Sequence, residues 1–435
     1  MNNIVPDWFK KTSIYQINPR TFSAEGTINA VTKELPFLAE LGFGIMYLCP
    51  IFDEDDSTDK TMWSERQIKY KTDNPKNPYR INDYFEIDSE YGNMQDLREF
   101  VSESHRLGMR VILDLVYYHI GPNAKILKTH PEFAAKNEDG SIKLTSWNFP
   151  CLNYQNEGLR EYLWCNMTYY VGVIGVDGYR CDVGDAVPLD FWSEAKRRIK
   201  AINPEAIMIN EGQKPEYLSV FDANYGFSWH NSVYDVLHHT ITTRELAEKH
   251  KEKASQLCDE GLILRDMDNH DTVTDWPYRI EEHFGSDCME AILSLNYVID
   301  GIPMVYCGNE LSDKARLNMF ANRFHMGSYD VTDRTVNGTD VERRKKIIKE
   351  LNTLRTNCTT LQNGKTKWYD SDFDWVIHFI RVSDEGRIAY IGNFGTDEID
   401  IDFNEKSEIL LSKKACIQKG HLKLQNYGYI IYIEP

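Results

Sequence analysis

The sequence has no apolar run near the roughly 18 residues that a membrane-crossing helix needs, which excludes an α-helical membrane protein. It has no C-x-x-C pair: nine cysteines are scattered singly from Cys49 to Cys416, so neither a zinc ribbon nor a disulfide framework is indicated, and a reducing compartment is expected. No basic segment followed by an apolar stretch opens "MNNIVPDWFKK", so a cytoplasmic chain is expected, although a secreted chain already freed of its leader would read the same. Positive charge is in deficit, with 49 Lys and Arg against 67 Asp and Glu and a net charge of −18. That balance repels nucleic acid and anionic membrane and favours a neutral or cationic partner. There is no low-complexity tract, and nothing in the sequence fixes an oligomeric state.

What is present is a globular composition, 42% apolar and 12% aromatic, over 435 residues. That length suits one large domain of roughly 250–350 residues plus a smaller one. Short β-branched runs recur: "SIYQI", "GIMYLCPIF", "VILDLV", "VIGVDGYR", "AIMIN", "LILRDM" and "PMVYCG". Amphipathic stretches alternate with them, as in "INAVTKELPFLAELGF" and "MQDLREFVSESHRLGM". Seven such strands and a weaker eighth near Tyr225–Trp229 predict an α/β fold, a (β/α)8 TIM barrel. Residues 1–357 are assigned to that barrel, with a short insertion after strand three at about 120–152. From 358 to 435 the pattern becomes "DWVIHFIRV", "RIAYIGNF" and "YGYIIYIE" without helices, which predicts a C-terminal antiparallel β-sandwich.

In a parallel barrel the working groups come from the C-terminal ends of different strands. Strand three carries Asp114 and leads to His119; strand four ends in Arg180 and Asp182; strand five ends in Glu211; strand seven ends in His270 and Asp271. Singly, each has an ordinary explanation: a structural ion pair for Asp182, an acid near a helix start for Glu211, a satisfied loop histidine for His119. Their arrival together at strand ends is what points to a site. Two carboxylates about 5–5.5 Å apart across a glycosidic bond serve a retaining glycosidase, one attacking and one protonating. Arg180 beside Asp182 is expected to keep that carboxylate ionised. Glu211 should then hold a proton in a less compensated setting.

These parts resemble, in order, the α-amylase family, glycoside hydrolase family 13. Its four short regions are similar to "DLVYYH" (114–119), "GYRCD" (178–182), "INEG" (209–212) and "NHD" (269–271). "SIYQINPRTFS", "NDYFEIDSEYGNMQDL" and "GIPMVYCGNE" also match. By that resemblance Asp182 is the nucleophile, Glu211 the general acid/base and Asp271 the transition-state stabiliser. Arg180, His119 and His270 bind the sugar, Tyr84 is its stacking platform, and Asp114 and Asp83 support them. The expected substrate is an α-1,4-glucan or maltooligosaccharide, with transglycosylation on the same intermediate as the alternative and a non-catalytic sugar-binding barrel as a weaker one. A metal-dependent hydrolase ranks last, because no His-x-His cluster stands at a strand end. No cofactor is expected. Where the family's first region carries a calcium-ligating asparagine, this chain has Tyr118, so that structural calcium is doubted. Asp185 and Ala186 stand where many α-amylases have Lys-His, which turns the expectation towards the neopullulanase and maltogenic-amylase branch or small bacterial amylases. Trp147, Trp229 and Trp276 are candidate subsite aromatics.

Overall fold

The computed structural model describes residues 5–71, 73–257, 261–320 and 331–435. The β-branched runs form a closed parallel barrel of eight strands: Ile14–Ile17, Ile45–Leu48, Arg110–Leu115, Gly178–Cys181, Ile207–Asn210, Ala223–Tyr225, Leu262–Arg265 and Ile302–Tyr306. Successive side chains of a strand face opposite ways. One alternating set, Ile14, Ile45, Ile112, Ile207, Ile209, Leu264 and Ile302, packs together inside the barrel and is stoppered by Val5 and Phe9. The other set packs outward against helices such as Ile28–Glu40 and Met94–Arg106. The second of these starts at Asn93, whose side chain and Asp96 cap each other's backbone, so the helix start is set locally.

Two expected strands are shorter than their apolar runs. In "VGVIGV" residues Tyr170–Ile174 form a π-helical turn that ends at Gly175 with φ 88°, and the strand begins only at Gly178. The sixth strand ends at Tyr225, and Phe227–Leu237 is a helix.

Two excursions rise above the mouth. Between strand three and the helix Glu157–Tyr169 the chain makes isolated bridges, His119 with Cys151 and Leu144 with Pro150. Between strand two and Met94 a second excursion forms the antiparallel pair Phe52–Glu54 with Ile81–Ile87 and the short helix Glu65–Lys69.

After the helix Thr339–Asn357, a six-stranded antiparallel sheet follows from Lys365. Its long strand His421–Ile433 pairs on one side with Glu408–Gln418 and on the other with two shorter strands in turn. One face, with Phe379, Tyr390, Tyr429 and Ile431, joins the barrel's outer core. The other closes over Ile380, Ile391, Leu422, Leu424 and Ile430. Among the described residues no helix is long and apolar enough to cross a membrane.

Candidate active site

The interior of the barrel changes character along its strands. On strand three Ile112 is followed two residues on by Asp114, and Asp114 lies in register with Arg180 of strand four. The fully buried Arg180 guanidinium reaches Asp114 Oδ1 at 2.7 Å, Asp182 Oδ1 at 2.9 Å and Glu211 Oε1 at 2.6 Å. Asp114 is held from its other side by the hydroxyls of Tyr47 (2.6 Å) and Tyr79 (3.0 Å). One cation thus organises three carboxylates from strands three, four and five.

The two outer carboxylates are fixed by backbone. The Asp182 amide continues the barrel ladder to Leu115 O at 2.8 Å, and that of Glu211 to Cys181 O at 3.0 Å. Val183, directly after Asp182, has φ 44°. Left-handed backbone is costly for a β-branched residue, and here it aims the Val183 amide at Glu211 Oε2, 2.8 Å away. The loop beyond Glu211 is fastened by Asp185, whose carboxylate accepts from the amides of Gln213 and Lys214 and from Asn210 Nδ2. A Cβ on Gly212 would stand 2.1 Å from Asp185 Cγ, so this loop closes only around glycine. At strand seven Asn269 Oδ1 accepts from the amides of Asp271 (2.9 Å) and Thr272 (3.0 Å). This turn presents His270 and Asp271 to the mouth.

Asp182, Glu211, Asp271, His119 and His270 line one cavity of ≈ 470 Å³ with Arg66, Tyr79, Trp147, Phe149 and Phe320. Buried Asp182 Oδ2 has no hydrogen-bond partner among the described residues, so it carries uncommitted lone pairs in a residue that lines the cavity.

The expectation that Arg180 holds Asp182 low is not met. Burial and the neighbouring Glu211 push Asp182 well above the ordinary carboxylate range despite Arg180, because one guanidinium is divided among three acids. Burial raises Glu211 too, with the Asp271 charge adding to it. Asp271 goes the other way: against burial, His270 and an ion pair with Arg66 at 2.7 Å hold it well below the usual range. The site therefore contains one firmly ionised carboxylate beside a pair that favours retaining a proton. Burial lowers His119 to about 4, so at neutral pH it is an uncharged donor, bonded through Nε2 to Tyr79 O at 2.9 Å.

Two residues expected to bind the sugar, Tyr84 and the fully buried Arg180, do not line the cavity. Tyr84 is enclosed by Phe52, Tyr117 and Tyr162 and spends its hydroxyl on the carbonyls of Val116 and His119, so it supports the wall and cannot be a platform. Asp114 sits beneath the wall and acts through Arg180. The open ring is Tyr79, stacked on His270 at 5.3 Å with its hydroxyl 2.6 Å from His270 Nε2. Gln16 holds the other nitrogen of His270 at 2.9 Å. Tyr79 and Arg66 were missed because both lie in the second-strand excursion; the aromatic in "NPYRIN" was the one sequence signal for Tyr79, and Arg66 had none. Asp83 faces outward to Lys125 at 3.2 Å. Of the three tryptophans, Trp147 lines the cavity, whereas Trp229 is buried on Asn296 and Trp276 packs on His230 and Tyr234.

Tyr118 is a poor calcium ligand: burial raises its phenol, which meets Cys151. A hard cation favours carboxylate, carbonyl or amide oxygen.

Residues 3–143 match the family model "Alpha amylase, catalytic domain". The chain is 24% identical over 414 residues to an alpha-1,4-glucan:maltose-1-phosphate maltosyltransferase of Picrophilus torridus, which covers 92% of this chain and 63% of that protein. It is 26% identical over 359 residues to a cyclomaltodextrinase of a Bacillus species, which covers 70% of this chain and 60% of that protein. The chain thus spans less than two thirds of these two curated relatives. Among solved structures, a noncanonic maltogenic alpha-amylase from Thermotoga neapolitana superposes with a TM-score of 0.81 at 23% identity, over 98% of this chain and 99% of that one.

Proposed function

We propose that the chain is a member of the α-amylase family, whose catalytic-domain model matches residues 3–143, and that it hydrolyses α-1,4-linked glucose oligomers with retention of configuration. Asp182 attacks the anomeric carbon through Oδ2 while Glu211 gives its proton to the departing glycosidic oxygen. Glu211 then takes a proton from water, whose oxygen releases the sugar from Asp182. Asp271, ionised throughout, faces the positive charge that develops on the ring. Arg180 orients Asp182 and Glu211, and His119, His270 and Tyr79 hold the sugar at the point of cleavage.

The observation that carries this reading is the convergence of Asp182, Glu211 and Asp271 on one cavity, with Arg180 bridging the first two and Arg66 paired with the third. The substrate class is supported by what the relatives' names state, a cyclomaltodextrinase and a maltogenic alpha-amylase among them. The maltosyltransferase relative gives weight to a second outcome on the same intermediate, a sugar hydroxyl replacing water. We assign no metal to the reaction and no calcium to the Tyr118 position, a reading supported by the donor chemistry there. A cytoplasmic setting is supported by Cys49, Cys181 and Cys307, buried and unpaired.

Asp182→Asn is expected to lower maltooligosaccharide turnover by about 10⁴-fold or more while the melting temperature is retained. Unchanged turnover overturns the assignment. In the wild type, net gain of reducing ends indicates hydrolysis and longer oligomers indicate transfer.

A further inference from the structure

The cavity is roofed by ties between loops that belong to different barrel strands. Thr61, Arg66 and Tyr70 all come from the excursion after strand two. The Thr61 carbonyl accepts from Asn148 Nδ2, at the tip of the insertion after strand three. Asn148 has φ 70°, a conformation asparagine tolerates, and is flanked by Trp147 and Phe149, whose rings lie 5.7 and 5.2 Å from that of His119. On the opposite flank Arg66 Nη2 stands 2.7 Å from both Asp271 Oδ1 and Asp275 Oδ2. The Tyr70 hydroxyl donates to the Thr274 carbonyl, and its ring stacks on Phe320 at 5.9 Å. The second-strand excursion is thereby bound to both the third-strand and the seventh-strand loops, over the carboxylates.

The direction of this roof follows from the chemistry. Glu211 must hand its proton to the leaving group, so the leaving half of the substrate lies towards strand five. Strand five stands across the barrel from strand one. Strands three and seven lie midway between strands one and five and strand two lies beyond them, so ties that run from the seventh-strand loop through the second-strand excursion to the third-strand insertion bound the half of the mouth away from strand five, where the half of the substrate that stays on Asp182 sits.

We propose that these ties make the site a pocket closed beyond the retained sugars, so that the enzyme works from non-reducing chain ends on short oligomers and does not thread a long chain. This rests on the hydrolase reading above. The lining agrees: Arg66, Phe320, Trp147 and Phe149 bound the cavity around the three carboxylates. The charge arrangement agrees: Arg66 is neutralised by two carboxylates and so closes the wall without attracting an anionic group.

The test uses maltoheptaose and the same oligomer with its non-reducing end blocked by a 4,6-O-ethylidene group. The wild type is expected to cleave the free-ended substrate at least ~100-fold faster, the scale of exclusion at a pocket wall. The double variant Tyr70→Phe/Asn148→Gly removes two ties, keeps the ring on Phe320 and the left-handed turn, and touches none of the three carboxylates. It should gain about tenfold on the blocked substrate, as expected for two lost hydrogen bonds. Equal wild-type rates on both substrates overturn the pocket and leave the hydrolase reading standing. An unchanged ratio in the folded double variant overturns the role of the ties. Cleavage of neither substrate overturns the hydrolase reading and this inference with it.

Discussion

At the scale of single residues, Arg180 and Tyr79 divide the work of building the site. Arg180 is a planar donor fork that can meet Asp114, Asp182 and Glu211 at once, which a point-charge ammonium could not do. Tyr79 presents a ring to the cavity while its hydroxyl joins His270 to Asp114. Tyr79→Ala is expected to lower kcat/KM by about 10²-fold or more through lost positioning. Tyr84→Phe should leave kcat/KM within about twofold and cost about 1 kcal/mol of stability, because its hydroxyl bonds only backbone carbonyls. The reverse ranking, measured on one maltooligosaccharide, would restore Tyr84 as the platform. Asp182, Glu211 and Asp271 were legible in the sequence because the strand pattern says where each strand ends. Tyr79 and Arg66 were not, because a 45-residue excursion from Cys49 to Asn93 has no periodicity that fixes where its side chains return to the barrel. Arg180 was legible as a partner of Asp182, but its division among three acids required the register of three strands.

At the scale of elements, the barrel closes by pairing of its first and last strands, and a buried amide fastens the elements around that seam. Asn352, on the helix Thr339–Asn357, accepts from Ser13 Oγ (2.5 Å) and the Tyr297 hydroxyl (2.8 Å) and donates to Leu41 O (2.8 Å). It ties the last barrel helix to the entry of strand one, the end of the first long helix and the helix Ser286–Val298. Asn352→Leu strands three buried polar groups and is expected to cost about 2–4 kcal/mol, read from denaturant midpoints at unchanged slope. A loss under 1 kcal/mol would show that the seam does not depend on this amide. Amphipathic helices such as Ile28–Glu40 and Met94–Arg106 were legible because their 3.6-residue period is long and capped. "VGVIGV" misled because a short apolar run reads alike as strand or buried helical turn. Gly175 in the left-handed region and the tight approach of Gly178 to Ile207 decide it, and neither is visible without the neighbouring strand.

At the scale of the whole molecule, barrel and C-terminal sheet share one core. Tyr390 OH bonds Ala291 O at 3.1 Å and Arg381 Nη1 bonds Val298 O at 2.9 Å. The buried Glu290 pairs with Arg343 of the last barrel helix at 3.1 Å and with Lys413 of the sheet. Thermal unfolding is therefore expected as one cooperative transition, and excess EDTA should shift its midpoint by less than about 1 °C, since a bound ion would otherwise add stability by mass action. Two resolved transitions would separate the domains, and a large downward shift would reinstate a structural metal.

Val183 carries a consequence for how this sequence can change. A glycine there would relax the left-handed backbone, yet it would slacken the peptide unit that follows Asp182 and bonds Glu211. Selection for durability and selection for turnover therefore pull this position in opposite directions.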